Sequence, residues 1–346
     1  EPVAWHFGRR FQQEITLIFE VTVPQVKNPI GFMGNLNSSV LFATTPEYGM
    51  FKALRSTPNA GVCTLEKHEF AIEPKYKSID GTRIRYADNG KQDAPTVLLL
   101  CPLPQSILCF DPIWKTLGDH FRLVALDLPG FGRSDGGMEF MSFKAQGEFV
   151  EKFVNDMGLE NVHIVGPDVG MAAALDYVIH RNHKAASILV GDGPAVNPST
   201  NGSIINKAVD SAFWRRVFIV TGAQTFVNGA YRLAVLNYVP NAEEVQDYVL
   251  SYSNGRIGPI TQWFKTYPEN LATIDPHLDT LQIPTQVFWG EHDIFLTTEN
   301  AEKLKKRIPR SKLTIFKNCG HYSYQDKADE FAQMVTDWVN GGYEKV

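Results

Sequence analysis

The chain has 346 residues, of which 44% are hydrophobic and 21% charged, a composition typical of a globular protein with a sizeable buried core. A net charge of −5 and a pI near 6.0 exclude the basic surface that nucleic-acid binding requires. No stretch approaches about 18 uninterrupted apolar residues, so no membrane span is predicted. We expect a soluble protein; the cytoplasm is slightly favoured, while the sequence leaves the compartment and the oligomeric state open.

The predicted elements, in chain order, follow an N-terminal extension at residues 1–65 that has no assigned role. Asp80-Gly81 is a typical hairpin turn and predicts strands at residues 70–72 and 82–86. Continuous apolar runs then predict six strands, at residues 96–101, 123–126, 162–165, 187–190, 285–289 and 312–316. Helices are predicted at residues 142–157, 169–179, 298–307 and 328–339. Because the runs have no polar face, helices should cover both sides of a parallel sheet.

Residues 194–279 interrupt this alternation with largely helical, aromatic-rich sequence. Such an insertion between two strands is typical of a helical cap that adds an apolar pocket to an active site. The alternative is a helical subdomain whose aromatic residues form its own core. As a cap, the insertion divides an α/β core at residues 66–193 and 280–346, and it offers four candidate substrate-binding residues, Trp214, Tyr231, Tyr238 and Trp263.

The sequence GPDVG at residues 166–170 stands between a predicted strand and a predicted helix. This spacing is typical of a nucleophile elbow, a turn so sharp that larger side chains two positions before and after the nucleophile would collide. The elbow would project the Asp168 carboxylate above the sheet. It would also place the amide of Val169 where it can stabilise an oxyanion.

Two further residues follow later strands in the order that nucleophilic catalysis needs. Asp293 ends the sequence WGEHD, and His321 ends the sequence NCGH. The order Asp168, Asp293, His321 is that of nucleophile, acid and histidine in a catalytic triad. The histidine would act as general base, and the acid would orient it and stabilise its cation. Asp192, which directly follows another predicted strand, is the alternative acid.

From about residue 68 onward, the sequence resembles the α/β-hydrolase superfamily, close to epoxide hydrolases and haloalkane dehalogenases. The segment DLPGFGRS at residues 127–134 resembles the loop D-x-P-G-x-G-x-S of that family. The resemblance implies an α/β-hydrolase fold, a mostly parallel doubly wound sheet with a helical cap inserted between two strands. It implies no cofactor. His180 and His183 lack accompanying acidic ligands, so no metal site is predicted either.

Two departures from the family pattern bear on the chemistry. The usual loop His-Gly-x-Pro reads CPLP here, which leaves Leu103 at the position whose amide completes the oxyanion hole. A tryptophan that binds halide often follows an aspartate nucleophile, whereas this chain has Val169. An epoxide needs a proton donor for its leaving alkoxide, and the insertion supplies phenols at Tyr231, Tyr238, Tyr248, Tyr252 and Tyr267.

A carboxylate nucleophile displaces at an sp³ carbon and forms an alkyl ester, which His321-activated water then hydrolyses. The sequence therefore predicts a cofactor-independent hydrolase that opens an epoxide of a small, apolar molecule. The alternative of the same class is a carbon–halogen hydrolase acting on haloalkanes or haloacids. The alternative of another class is a non-hydrolytic lyase, isomerase or binding protein on this fold, which the altered loop at Cys101-Pro102 favours.

Overall fold

The computed structural model describes residues 69–194 and 204–346, apart from the side chains of Ile204 and Asn206. The predicted N-terminal extension lies outside these residues. In the described part, eight strands form one sheet in the order β1-β2-β4-β3-β5-β6-β7-β8. The strands are β1 (Lys75–Ile79), β2 (Thr82–Asp88), β3 (Thr96–Leu100), β4 (Arg122–Leu126), β5 (Val162–Pro167), β6 (Ala185–Gly191), β7 (Thr285–Gly290) and β8 (Ser311–Phe316).

Helices follow most of the strands. Those of the core are α1 (Asp111–Gly118), α2 (Phe143–Asp156), α3 (Val169–His180), α8 (Glu299–Arg307), α9 (Ser323–Asp326) and α10 (Ala328–Val339). Those of the insertion between β6 and β7 are α4 (Ile204–Asp210), α5 (Ala212–Ala234), α6 (Ala242–Tyr252) and α7 (Ile257–Ile274). Strands β3 to β8 are paired in parallel, and β4 is buried along its whole length. The predicted parallel sheet with helices on both faces is confirmed.

Strand order fixes where a site can form. β3 lies between β4 and β5, so the chain crosses to the other side of β3 after leaving β4. At such a switch point the loops beyond the carboxyl ends of neighbouring strands diverge and leave a crevice. The loop after β3 and the turn after β5 therefore meet at one edge of the sheet, and this edge carries Leu103 and Asp168.

The prediction for the first strand of the hairpin was wrong. The strand that pairs with β2 across Asp80-Gly81 is Lys75–Ile79, not residues 70–72. The amides of Ala71 and Ile72 instead donate to Asp111 Oδ1, over 2.7 and 3.2 Å. This bond to the first residue of α1 draws the apolar segment out of the sheet, while the largely polar β1 completes the edge.

A buried histidine lies near the amino-terminal ends of β5 and β6, away from the site. His163 Nδ1 is 2.7 Å from Ser187 Oγ, which also accepts a hydrogen bond of 2.9 Å from Trp338 Nε1. The Ser187 oxygen has two lone pairs, so it accepts from Trp338 and can still donate its own proton to Nδ1 of a neutral imidazole. Burial lowers the pKa of His163 from 6.5 to about 4.

Acid should therefore destabilise the fold through His163. The unfolded imidazole takes up a proton near pH 6.5, whereas the folded one does so only near pH 4, so stability is lost as the pH falls across this interval. The free energy of unfolding, measured in urea, should fall over this range by on the order of 3 kcal/mol more in the wild type than in His163→Gln. The exposed His120→Gln is the control and should follow the wild type. Parallel pH curves for wild type and His163→Gln would contradict the assignment.

Candidate active site

Asp168 occupies a sharp turn between β5 and α3. Its φ of 49° and ψ of −121° lie in a region that side-chain-bearing residues rarely adopt. A Cβ on Gly166 would lie 2.5 Å from the Gly170 carbonyl oxygen, and one on Gly170 would lie 2.9 Å from the Leu100 carbonyl oxygen. Only glycine permits this approach of strand, turn and helix, which explains the two glycines of GPDVG.

Two backbone amides hold the Asp168 carboxylate. Leu103 N donates to Oδ2 over 2.7 Å, and a hydrogen bond from the Val169 amide also favours the ionised form. Burial has the larger effect and raises the pKa of Asp168, against the lowering by the His321 charge and the two amides. The two amides that the sequence predicts as an oxyanion hole thus already bind the Asp168 carboxylate, with that of Leu103 on Oδ2.

His321 lies between two carboxylates. Its Nδ1 is 2.8 Å from Asp293 Oδ2, and its Nε2 is 3.8 Å from Asp168 Oδ1. Asp293 is fixed in turn, since its Oδ1 accepts the amides of Phe295 and Leu296 over 2.8 and 3.0 Å. The bond to Asp293 keeps a proton on Nδ1 and turns Nε2 towards Asp168, which is the orientation of a general base.

The charges around His321 govern its protonation. Burial opposes the charged imidazolium, but the charge and hydrogen bond of Asp293 and the charges of Asp168 and Asp192 outweigh burial. Together they raise the pKa of His321 to about 9. At neutral pH the resting site therefore holds an imidazolium beside Asp168.

Asp192, the alternative acid, has other partners. Its Oδ1 accepts the Gly290 amide over 2.9 Å, and its Oδ2 accepts the Ser323 hydroxyl over 2.7 Å. Burial and then the charge of Asp293 raise its pKa well above the usual range for a carboxyl group. The imidazole is hydrogen-bonded to Asp293, and Asp192 instead supports the loops after β7 and β8.

Three tyrosines of the insertion surround one buried carboxylate. Glu244 accepts the hydroxyls of Tyr248 and Tyr238 over 2.6 and 2.7 Å, and the amide of Gln325 over 2.6 Å. The Tyr231 hydroxyl donates to Gln325 Oε1 over 2.8 Å. These three hydroxyls, two of which belong to predicted substrate-binding residues, are thus engaged in a network with Gln325, four residues after His321.

Tyr252 is also engaged, because its hydroxyl donates to the Gln105 carbonyl over 3.0 Å and accepts the Gly132 amide over 3.3 Å. Tyr267 differs. Its side chain is 3% exposed, and among the described residues its hydroxyl has no hydrogen-bond partner. Burial raises the pKa of Tyr267, and the negative charges of Asp168 and Asp293 raise it further, which places this phenol within electrostatic reach of Asp168.

Tyr322 lies beside His321 and was not among the residues predicted from the sequence. Its ring lies 5.1 Å from that of His321, centroid to centroid, and its hydroxyl is 3.5 Å from the Leu103 carbonyl oxygen. Burial, followed by the charge of Asp168, raises its pKa well above the usual range. Its position directly after His321 is the signal in the sequence, whereas the five predicted phenols all belong to the insertion.

The two tryptophans predicted to bind substrate lie in different surroundings. Trp263 is buried, with its ring centroid 5.4 Å from that of Phe131 and 5.1 Å from that of Phe143. Trp214 is half-buried, and the Lys207 ammonium lies 5.4 Å from its ring centroid. Trp263 thus packs in the aromatic core where α2 and the insertion meet.

The part of the chain that the structure describes contains no group of three His, Cys, Asp or Glu side chains arranged to hold a metal. In the same residues, every helix is too short or too polar to cross a bilayer.

Removing the Asp168 charge should change the titration of His321. We expect Asp168→Asn to lower the pKa of His321 from about 9, because one of the charges that stabilise the imidazolium is lost. NMR titration of histidine-labelled protein measures this directly. Asp329→Asn removes an exposed carboxylate and should leave the titration unchanged. An unaltered His321 in Asp168→Asn would show that the two groups do not interact.

Known proteins resemble the chain at the level of the fold. A hydrolase of 2-hydroxy-6-oxononadienedioate and 2-hydroxy-6-oxononatrienedioate from Pseudomonas putida is 25% identical over 236 residues, covering 64% of this chain and 78% of the relative. A haloalkane dehalogenase loop variant from Bradyrhizobium elkanii has a TM-score of 0.68 and 18% identity, and the match covers 79% of this chain and 98% of the dehalogenase chain. An epoxide hydrolase has a TM-score of 0.64 and 21% identity, and the match covers 76% of this chain and 97% of the epoxide hydrolase chain.

Residues 95–328 match the family described as the alpha/beta hydrolase fold. The match includes the strand before the loop of Leu103, the elbow of Asp168, and both Asp293 and His321. It confirms the fold class and the kind of enzyme that the sequence predicts. The chain belongs to the α/β-hydrolase fold family, and it is a hydrolase of that family.

Proposed function

We propose that this hydrolase opens an epoxide of a small, apolar molecule through an alkyl ester on Asp168. The observation that carries the proposal is the asymmetric setting of one carboxylate. Asp168 Oδ2 is bound by the Leu103 amide, and Oδ1 faces His321 Nε2 at 3.8 Å. A carboxylate in this setting can attack an sp³ carbon through Oδ1 while Oδ2 becomes the carbonyl oxygen of the ester.

In the first half-reaction, Asp168 Oδ1 attacks an epoxide carbon and the carbon–oxygen bond of the ring breaks. The electron pair of that bond leaves on the alkoxide, which takes a proton from the hydroxyl of Tyr267. Tyr267 suits this role because it is buried, lies within electrostatic reach of Asp168 and lacks an acceptor among the described residues. The imidazolium proton of His321 then passes to the phenolate, directly or through solvent.

Ester formation prepares His321 for the second half-reaction. It removes the negative charge of Asp168, one of the charges that raise the pKa of His321, so the neutral imidazole becomes accessible. His321 takes a proton from water as the water attacks the ester carbonyl, and the amides of Leu103 and Val169 stabilise the oxyanion on Oδ2. The acyl–oxygen bond breaks, His321 protonates the departing diol, and the acid proton of the restored Asp168 returns to His321.

The insertion supports the choice of epoxide over halide. We assign the insertion at residues 194–279 as a cap, since in its described part Tyr252 bonds to Gln105, on the loop of Leu103, and Glu244 bonds to Gln325, in α9 four residues after His321. A basic alkoxide needs a donor such as Tyr267, whereas a halide leaves without one. Val169 also lacks the indole N–H that halide binding uses, so expulsion of halide is the second choice.

Blocking the second half-reaction should trap the ester. We expect His321→Gln, incubated with a terminal aryl epoxide, to gain the mass of one whole epoxide on the peptide that contains Asp168. A haloalkane would add only its alkyl group, with loss of hydrogen halide. The double variant Asp168→Asn/His321→Gln is the control and should remain unmodified. Turnover of esters or 2-hydroxy-6-oxo-dienoates, with no adduct from any epoxide or haloalkane, would overturn the proposal.

Removing the Tyr267 hydroxyl should slow the first half-reaction alone. Tyr267→Phe should reduce the alkylation rate by roughly 100-fold, because general acid assistance to the alkoxide is lost. Its stability should be unchanged or higher, since a buried hydroxyl without a partner is removed. Tyr177→Phe is the matched control, as its hydroxyl bonds to the Lys184 amide 2.9 Å away. Equal alkylation rates in Tyr267→Phe and wild type would exclude Tyr267 as the donor.

A further inference from the structure

Asp326, the last residue of α9, lies five positions after His321 and is 7% exposed. Its carboxylate accepts hydrogen bonds from four backbone amides. Three of these belong to consecutive residues of the linker between α5 and α6, and the fourth belongs to the residue before His321. The distances are 2.9 Å to Leu236 N, 2.9 Å to Asn237 N, 3.0 Å to Tyr238 N and 2.8 Å to Gly320 N.

A second contact joins the same two segments. The backbone amide of His321 donates to the carbonyl oxygen of Ala234, at the end of α5, over 2.7 Å. A Cβ on Gly320 would overlap that carbonyl oxygen, so the absence of a side chain allows the approach. The backbone of His321 is therefore held from outside its own loop, by the end of α5 directly and by Asp326 through Gly320.

We propose that Asp326 is a positioning residue for His321. By binding Gly320 and the α5–α6 linker at once, its carboxylate fixes the backbone from which the imidazole reaches Asp293 and Asp168. The kinetic consequence rests on the proposed function, whereas the effect on the imidazole follows from geometry alone. Asp326 touches neither imidazole nor nucleophile in these contacts, so its action passes through Gly320.

The two half-reactions depend on His321 to different degrees. Alkylation needs an ionised Asp168 and a proton donor for the alkoxide, and the proton of His321 reaches the phenolate only after the ring carbon–oxygen bond has broken. Hydrolysis needs Nε2 at the place where it can take a proton from the attacking water, and small displacements slow such a step strongly. A displaced His321 loop should therefore affect hydrolysis of the ester more than its formation.

Asp326→Asn is the substitution that tests this role most directly. Aspartate offers two acceptor oxygens, with Asn237 and Tyr238 on Oδ1 and Gly320 on Oδ2. Asparagine offers one oxygen and one NH₂ group. Either the Gly320 amide or the linker amides would therefore face an NH₂ donor in place of an acceptor oxygen. One of these two sets of hydrogen bonds is then lost, although the side chain keeps its shape.

The test is single-turnover kinetics with the epoxide, followed by intact-mass spectrometry, on the full chain. Asp326→Asn should slow hydrolysis of the ester by about 10-fold to 100-fold while alkylation stays within about 2-fold, so the ester accumulates. Asp329→Asn removes the exposed carboxylate three residues away and should match the wild type. Equal slowing of both steps, or unchanged hydrolysis, would overturn the proposal. If Asp326→Asn does not fold, Asp326→Glu replaces it, with the same split expected.

An NMR titration of His321 provides a readout that needs no substrate. Loosening the bond to Asp293 should lower the pKa of His321 in Asp326→Asn, and Asp329→Asn should leave it at about 9. If His321→Gln traps no ester, the proposed function fails, and this titration still decides the role of Asp326. If the ester is trapped but the His321 titration is the same in both Asp326 variants and wild type, the positioning role fails alone.

Discussion

Burying an ionised carboxylate costs several kcal/mol unless fixed dipoles and charges replace the water around it. Asp168 meets this constraint with two backbone amides and the His321 imidazolium. Each partner depends on a different part of the fold, because β3 supplies the loop of Leu103, the elbow supplies Val169, and β8 leads to His321. The same groups that allow the charge in the resting state would stabilise the oxyanion and activate water during the reaction.

The insertion is joined to this site by polar rather than purely apolar contacts. Glu244 accepts hydrogen bonds from the hydroxyls of Tyr238 and Tyr248 and from the amide of Gln325, which lies in α9, four residues after His321. Asp247 accepts hydrogen bonds of 2.8 Å from Arg85 and 2.6 Å from Ser106, next to the loop of Leu103. Hydrogen bonds are directional, so these groups specify one arrangement of the insertion, whereas an apolar contact would tolerate sliding. The positions of the Leu103 loop and of His321 are thereby coupled to the packing of the insertion.

Local patterns predicted the parallel sheet and the elbow, because the glycines around Asp168 are needed by the turn itself. The sequence could not show that residues 70–72 leave the sheet, since their partner Asp111 is about 40 positions away. Nor could it choose among the tyrosines. Tyr231 differs from Tyr267 only through tertiary partners such as Gln325, and a phenol's availability as a donor depends on whether another group has already engaged it.

The proposed mechanism requires that Asp168 forms an ester and that water attacks the carbonyl carbon of this ester. A single turnover in ¹⁸O-labelled water, with enzyme in excess over epoxide, tests this most directly. The account predicts one ¹⁸O atom in the Asp168 side chain, located by mass spectrometry of the digested protein, and an unlabelled diol. A labelled diol with unlabelled Asp168 would mean that water attacks the epoxide directly, and it would contradict the account.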